Sequence, residues 1–189
     1  KKYIKKKKEI KIITVGRLTD QKNHILLLNA LSKLNKEIKW KLDIIGKGYN
    51  YNLLQQFILE KKLTKKIKLL GYKKNPEFFM FKSDLFILTS EYEGLPNVLI
   101  EAQQIGLPII STNCHTGPRE ILMNGKLGDL IPQNNIKALQ NKIEQFYYNR
   151  NLLNYKSREA FKHLYRFDHN KNCEEYHKLI LKYLADEAK

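Results

Sequence analysis

The 189 residues carry a formal net charge of +16, from 35 Lys and Arg against 19 Asp and Glu, with 42% hydrophobic residues and two cysteines. That length allows one ordinary domain with a single good core and is short for a two-domain enzyme. No apolar run approaches the roughly 20 residues of a spanning helix, no signal-peptide pattern occurs, and Cys114 and Cys173 show neither metal spacing nor a CxxC, so a membrane-embedded protein, a disulfide scaffold and a zinc module are excluded and a soluble cytoplasmic domain is expected.

The charge admits nucleic acid or an anionic membrane surface as partner. Only five of the 35 basic residues are Arg, and Lys, Asn and Ile are abundant together, as an AT-rich genome would produce, so the charge alone is a weak sign of any partner. No nucleic-acid-binding motif occurs and no strand interleaves basic and aromatic residues for base stacking, so no nucleic acid is expected. The membrane surface stands as the alternative to plain composition.

Lys1, Lys2, Lys5, Lys6, Lys7 and Lys8 precede the first apolar run and read as a solvated tail or linker over residues 1–9. The chain opens on Lys rather than Met, as an excised segment or processed product would. Apolar β-branched runs then alternate with helical patterns, the signal for βαβ units and a parallel sheet. Strands are predicted at 10–15, 40–45, 67–70, 85–88, 108–112 and 127–131, and helices at 24–34, 49–60, 76–81, 98–105 and 118–123. The apolar residues of these helices recur at spacings of three and four, as in Leu27, Leu28, Leu31 and Leu34. Three further helices, 135–148, 152–165 and 169–184, follow without another strand. The expected fold is α/β: a Rossmann-like, doubly wound parallel sheet of about six strands over residues 10–168, closed by a helical tail. The last helix, within 169–189, aligns Tyr176, Leu179, Ile180, Tyr183 and Leu184 for packing on its own sheet or on a second domain.

In such a sheet, ligands bind beyond the carboxyl ends of the strands. After the first strand, Gly16 and Arg17 with Lys22 can bring two cations to one diphosphate, Arg as a planar fork and Lys as a point charge; two solvated basic residues are the plain alternative. Gly46-Lys47-Gly48 is a lone GxG and reads as a turn. Gly71 and Tyr72 open a loop that either offers backbone groups to a nucleobase edge or is simply polar.

The most informative run is Ser90-Glu91-Tyr92-Glu93-Gly94-Leu95-Pro96-Asn97-Val98-Leu99-Ile100-Glu101. Pro96 suits the first helical position, which would leave the N–H groups of Asn97, Val98 and Leu99 unpaired and ready for phosphate. Glu101 falls about 7 to 8 Å further along that helix, where a ribose would lie, and Glu93 sits on the loop side. Gly117-Pro118-Arg119-Glu120 repeats the Pro-first start as a cap or as part of a sugar pocket, with Gly125 as its stop, and His115 reads as a loop hydrogen-bonding residue.

In order, Gly16-Arg17-Leu18 with Lys22, Gly46-x-Gly48, Gly71, Glu93-Gly94-Leu95-Pro96 with Glu101, and Gly117-Pro118-Arg119-Glu120-Ile121 resemble the donor-binding C-terminal domain of the family 4 glycosyltransferases, retaining enzymes of GT-B fold. The likeness runs from about Ile10 to Pro132 and on through the helical tail. It implies a nucleoside-diphosphate sugar as donor, no metal and no cofactor. Arg17 and Lys22 would hold the diphosphate and stabilise the departing charge, Glu93 would bond the transferred sugar and Glu101 the ribose. The wider donor set is Gly16, Gly71, Tyr72, Gly94, Leu95, Pro96, Asn97, Val98 and Leu99. The acceptor, a glycan or lipid-linked glycan, would be bound mainly by an N-terminal domain outside these residues, without which turnover is not expected, and the enzyme would work at the inner face of the membrane. Asn23 departs from the Gly that many relatives carry there. A sugar-nucleotide 2-epimerase of the same fold, or a non-catalytic binding domain, are the competing readings.

Overall fold

The computed structural model describes residues 9–187, so the lysine cluster at residues 1–8 lies outside the described residues. Six strands, β1 (Ile10–Val15), β2 (Trp40–Ile45), β3 (Ile67–Gly71), β4 (Leu85–Leu88), β5 (Ile109–Thr112) and β6 (Asp129–Ile131), form one all-parallel sheet in the order β3-β2-β1-β4-β5-β6. Helices α1 (His24–Ser32), α2 (Tyr51–Glu60), α3 (Glu77–Phe81), α4 (Asn97–Gln104) and α5 (Pro118–Ile121) make the crossovers, and α6 (Ile136–Tyr148), α7 (Asn151–Lys162) and α8 (His169–Glu187) follow the last strand. This is the doubly wound arrangement the alternation predicts.

Successive strand residues feed opposite faces. Ile12, Ile44 and Ile87 pack with Leu27, Leu31, Leu139 and Phe146 on one side, whereas Ile13, Ile45 and Phe86 pack with Met80, Leu99, Ala102 and Leu122 on the other. Both faces are apolar over the centre of the sheet, so β4 reads as a continuous hydrophobic run, whereas β1, β2 and β3 each carry a lysine at their second position.

Several boundaries move for identifiable reasons. The first helix stops at Ser32, and Leu34 completes the leucine period from the turn that follows, still buried. The segment after Gly117 makes only one α-turn, because Met123 and Asn124 adopt positive φ (46° and 54°) and break the helix before Gly125. The C-terminal stripe does not pack on the sheet: Tyr176, Leu179, Ile180, Tyr183 and Leu184 are all more than half exposed. Among the described residues no helix is long and apolar enough to cross a membrane.

Strand order reverses between β1 and β4. The loops leaving those two strands, residues 16–23 and 89–96, thus flank the crevice at the carboxyl edge of the sheet.

Candidate functional site

At that crevice lies a cleft of about 640 Å³ whose walls include Gly16, Arg17 and Lys22 from the first loop, Tyr72, Lys73 and Lys74 from the third, and Glu93, Leu95, Pro96, Asn97, Val98 and Glu101 from the fourth. Of the donor set expected from the sequence, Gly71, Gly94 and Leu99 do not form its walls. Gly71 turns the chain with φ +68° and offers its carbonyl to the Gly46 N–H (3.0 Å). Leu99 is fully buried.

Pro96 also sits one step earlier than expected. It is extended (ψ 92°) and caps α4 from outside, so the helix opens at Asn97. Its carbonyl accepts the Leu99 N–H at 2.9 Å, which leaves the N–H groups of Asn97 and Val98 without a backbone partner among the described residues, at the mouth of the cleft. Eight residues of aligned peptide dipoles stand behind them. Opposite, Arg17 is exposed and steadied by Gln21, to which its guanidinium donates at 3.0 Å.

Lys22 and Glu93 meet directly. Lys22 Nζ lies 2.5 Å from Glu93 Oε1, and the two side chains are only 13% and 7% exposed. The same carboxylate oxygen accepts from Ser90 Oγ at 2.6 Å, while the Glu93 carbonyl accepts from Thr116 Oγ1. Ser90 is itself fully buried, and its carbonyl accepts from Thr112 Oγ1 at 2.6 Å. Thr89 Oγ1 donates to the Lys22 carbonyl at 3.0 Å. Both partners are thus held by side chain and backbone alike, with Glu93 Oε2 making no hydrogen bond among the described residues. An ammonium has three donors, so Lys22 can keep Glu93 and still reach an anion in the cleft.

Two glycine motifs make this geometry possible by close approach. A Cβ on Gly46 would sit 1.8 Å from the Gly16 carbonyl oxygen and one on Gly48 2.2 Å from that of Leu18. Gly46-x-Gly48 is therefore more than a turn: it lets the second loop lie against the first and fix Arg17, through Leu18 N–H to Lys47 O and Asn50 N–H to Leu18 O. Gly117 (φ +84°) works likewise, its missing Cβ leaving room for Gly94 O at 2.3 Å and Pro96 Cδ at 2.5 Å. The Gly-Pro-Arg-Glu segment supports the Glu93 loop from behind and does not line the cleft.

Three residues without a motif complete the frame. Glu91 accepts from the side chains of Asn23 and Asn134 and, through its carbonyl, from Gln133, tying the β1, β4 and β6 loops together. Asn23 is left-handed (φ 40°) and caps α1 by accepting the Leu26 N–H at 3.2 Å. That backbone explains the substitution for Gly, since Asn tolerates the same region and adds the cap. His24, two residues past Lys22, is buried, and its Nδ1 has no hydrogen-bond partner among the described residues. Burial, with a smaller push from Lys22, lowers its pKa to about 4, so it is neutral and structural. Of these only Asn23 stands out in the sequence, as a departure from Gly; the roles of Glu91 and His24 depend on partners more than 40 residues away or on burial.

Two other titrations bear on the cleft. Burial, then the neighbouring Glu77, raises the Glu101 carboxyl above its usual range. Burial, then Glu93, raises the Cys114 thiol, which keeps it a thiol rather than a nucleophile. Among the described residues no group of three or more His, Cys, Asp or Glu is placed to hold a metal ion.

Fold and cleft together define a doubly wound α/β domain whose switch point carries a cleft faced by two cations and a helix start. The chain belongs to the glycosyl transferases group 1 family, whose model matches residues 1–163. It is 44% identical over 111 residues to an uncharacterized glycosyltransferase of Methanocaldococcus jannaschii, covering 58% of this chain and 27% of that protein. It is also 35% identical over 128 residues to the N-acetylgalactosamine-N,N'-diacetylbacillosaminyl-diphospho-undecaprenol 4-alpha-N-acetylgalactosaminyltransferase of Campylobacter jejuni, covering 68% of this chain and 34% of that protein. In three dimensions it superposes on the Anabaena protein HepE, crystallised in complex with UDP, with a TM-score of 0.83 over 92% of this chain and 49% of HepE, at 21% identity. The chain spans about a third or less of these curated relatives.

Proposed function

We propose that this chain is the donor-binding half of a retaining hexosyltransferase that takes a UDP-hexose or UDP-N-acetylhexosamine without a metal ion and serves bacterial surface-glycan synthesis. The observation that carries the proposal is the convergence on one cleft of Arg17, Lys22, the N–H groups of Asn97 and Val98, and the carboxylates Glu93 and Glu101. The diphosphate lies between the cations and the helix start. Glu101, further along α4, accepts from the ribose hydroxyls, and Glu93 Oε2 accepts from the sugar.

As the bond from the anomeric carbon to the β-phosphate oxygen breaks, negative charge grows on that phosphate. Lys22, Arg17 and the α4 N–H groups are fixed beforehand and stabilise it without reorganisation. Glu93 acts twice in this reading: it bonds the sugar and holds the Lys22 ammonium. The acceptor hydroxyl attacks from the face the nucleotide leaves, its proton passing to the departing phosphate, so no side-chain base is required. A glycan or lipid-linked acceptor is bound by a further domain, which also covers the apolar stripe of α8, and the assembly works at the cytoplasmic face of the membrane.

Thermal melting of the chain against a panel of nucleotide sugars tests the donor class. UDP-hexoses and UDP-N-acetylhexosamines should raise the midpoint more than GDP- or ADP-sugars; an equal response to all three bases would refute the uridine assignment. Appearance of a 2-epimerised sugar nucleotide in the absence of acceptor would favour the epimerase instead.

A further inference from the structure

On the sheet face that α3 borders, β1 to β3 turn out a corner of lysines. Lys11, Lys41, Asp43 and Lys68 alternate with the core residues Ile12, Leu42 and Ile67 and so share that face, with Lys11 in register with Lys41 and Asp43 with Lys68. At five residues, α3 is only about 7.5 Å long and leaves this corner open. The result is a groove of about 290 Å³ that adds Lys65, Lys66 and Lys82 to the first three lysines.

The acids nearby offset it only in part: six lysines line the groove with one carboxylate, Asp43, whose charge acts on Lys11, Lys41 and Lys68. Glu9 pairs with Lys41 at 3.2 Å, and Asp84 is engaged by the Lys11 backbone N–H and by Arg150. Lys11, Lys65, Lys66, Lys68 and Lys82 have no salt bridge among the described residues; Lys66 lies over Trp40 and Lys82 over Phe78. Like charges placed in register across neighbouring strands are unfavourable unless an anion offsets them. Helix α3 borders the groove through Phe79, and its Phe78 and Phe81, three residues apart, are 59% and 76% exposed.

We propose that this lysine groove, with the exposed Phe78 and Phe81 of the bordering helix α3, docks the chain on an anionic lipid surface, the ammonium groups on headgroup phosphates and the two rings at the acyl boundary. Mobile point charges beside a small exposed aromatic pair suit a diffuse headgroup layer. The groove has no Arg to fork onto a base edge, and its exposed rings project from a helix rather than from the strands, which disfavours nucleic acid. Lys11, Lys41 and Lys68 each stand second in their strands, at the amino edge of the sheet, whereas the cleft opens at the carboxyl edge. Docking through the groove leaves the cleft free. The inference rests on the surface-glycan reading only for the presence of a membrane, and its test is separate.

The 189-residue chain is sedimented with vesicles of phosphatidylglycerol and phosphatidylcholine, or of phosphatidylcholine alone, at low and high salt. Three proteins are compared with the parent: K11Q/K65Q/K82Q in the groove, K33Q/K137Q/K178Q at exposed lysines elsewhere with the same net charge, and F78S/F81S. The parent should bind the anionic vesicles in a salt-sensitive way. At about a fivefold loss per surface lysine, the groove triple should weaken binding on the order of a hundredfold. The control triple should lose far less, and the Phe pair about tenfold with the salt dependence retained. Equal losses in both triples, no preference for anionic vesicles, or displacement of the vesicles by a short RNA or DNA duplex through the same lysines would overturn the proposal. Melting curves confirm folding of each variant, and UDP binding measured on all four proteins reports on the donor cleft independently.

Discussion

Replacing Glu93 by Ala separates its two roles. In the free chain the substitution removes the carboxylate partner of Lys22, a side chain only 13% exposed in the parent. Removing one member of a buried pair costs about 3–5 kcal/mol; partial exposure here brings the expected loss of stability to roughly 2–3 kcal/mol. UDP then meets a cation no longer shared with a carboxylate, and the diphosphate restores the missing counter-charge. UDP affinity should therefore hold or rise, by about tenfold at most, and UDP should raise the melting midpoint of Glu93→Ala more than that of the parent. The hydrogen bond from Oε2 to the sugar is lost, about 1.5–3 kcal/mol, so the affinity gained from the sugar moiety should vanish. Lys22→Ala does the opposite: it leaves Glu93, 7% exposed, facing the phosphates, and UDP binding should fall by a hundredfold or more. Calorimetry of UDP and UDP-sugar on both variants and the double variant, read as a double-mutant cycle, checks the coupling. A loss of UDP affinity in Glu93→Ala as large as in Lys22→Ala would refute the reasoning.

Glu101→Gln should trade stability against binding. Burial and Glu77 hold the Glu101 carboxyl above its ordinary value, so folding disfavours its charged form; its contribution is fullest at pH below the ordinary carboxylate value and declines as pH rises through the raised one. The amide imitates the neutral form, and denaturant midpoints at pH 7 should rise while UDP binding weakens about tenfold. For His24 the sign is reversed: with its pKa lowered from 6.5 to about 4, stability is complete above pH 6.5 and falls by roughly 3 kcal/mol as pH drops to 4, a slope that His24→Gln should remove. Gly117→Ala puts a Cβ 2.3 Å from the Gly94 carbonyl oxygen at a φ of +84°, so it should cost about 1–3 kcal/mol in chemical denaturation and weaken UDP binding by displacing the Glu93 loop.

The order of elements was legible because hydrophobic period and turn residues are local: each of the six strands begins or ends within two residues of where the pattern places it. The cleft residues were legible for the same reason, standing where strands end and helices begin. What escaped were relations between loops. Nothing near Gly46 or Gly117 says which carbonyl will press against the missing Cβ, and nothing in Ser90 says that its hydroxyl will hold Glu93. The C-terminal helix shows the converse limit, since its apolar period marks a face to be covered without saying by what.

The most direct test of the central claim is calorimetric titration of the chain with UDP in EDTA. Arg17, Lys22 and the start of α4 supply the counter-charge, so the account predicts saturable binding that is unchanged on adding magnesium or manganese and is weakened by Lys22→Ala. Binding that vanishes in EDTA and returns with the metal, or that ignores the loss of Lys22, would contradict it.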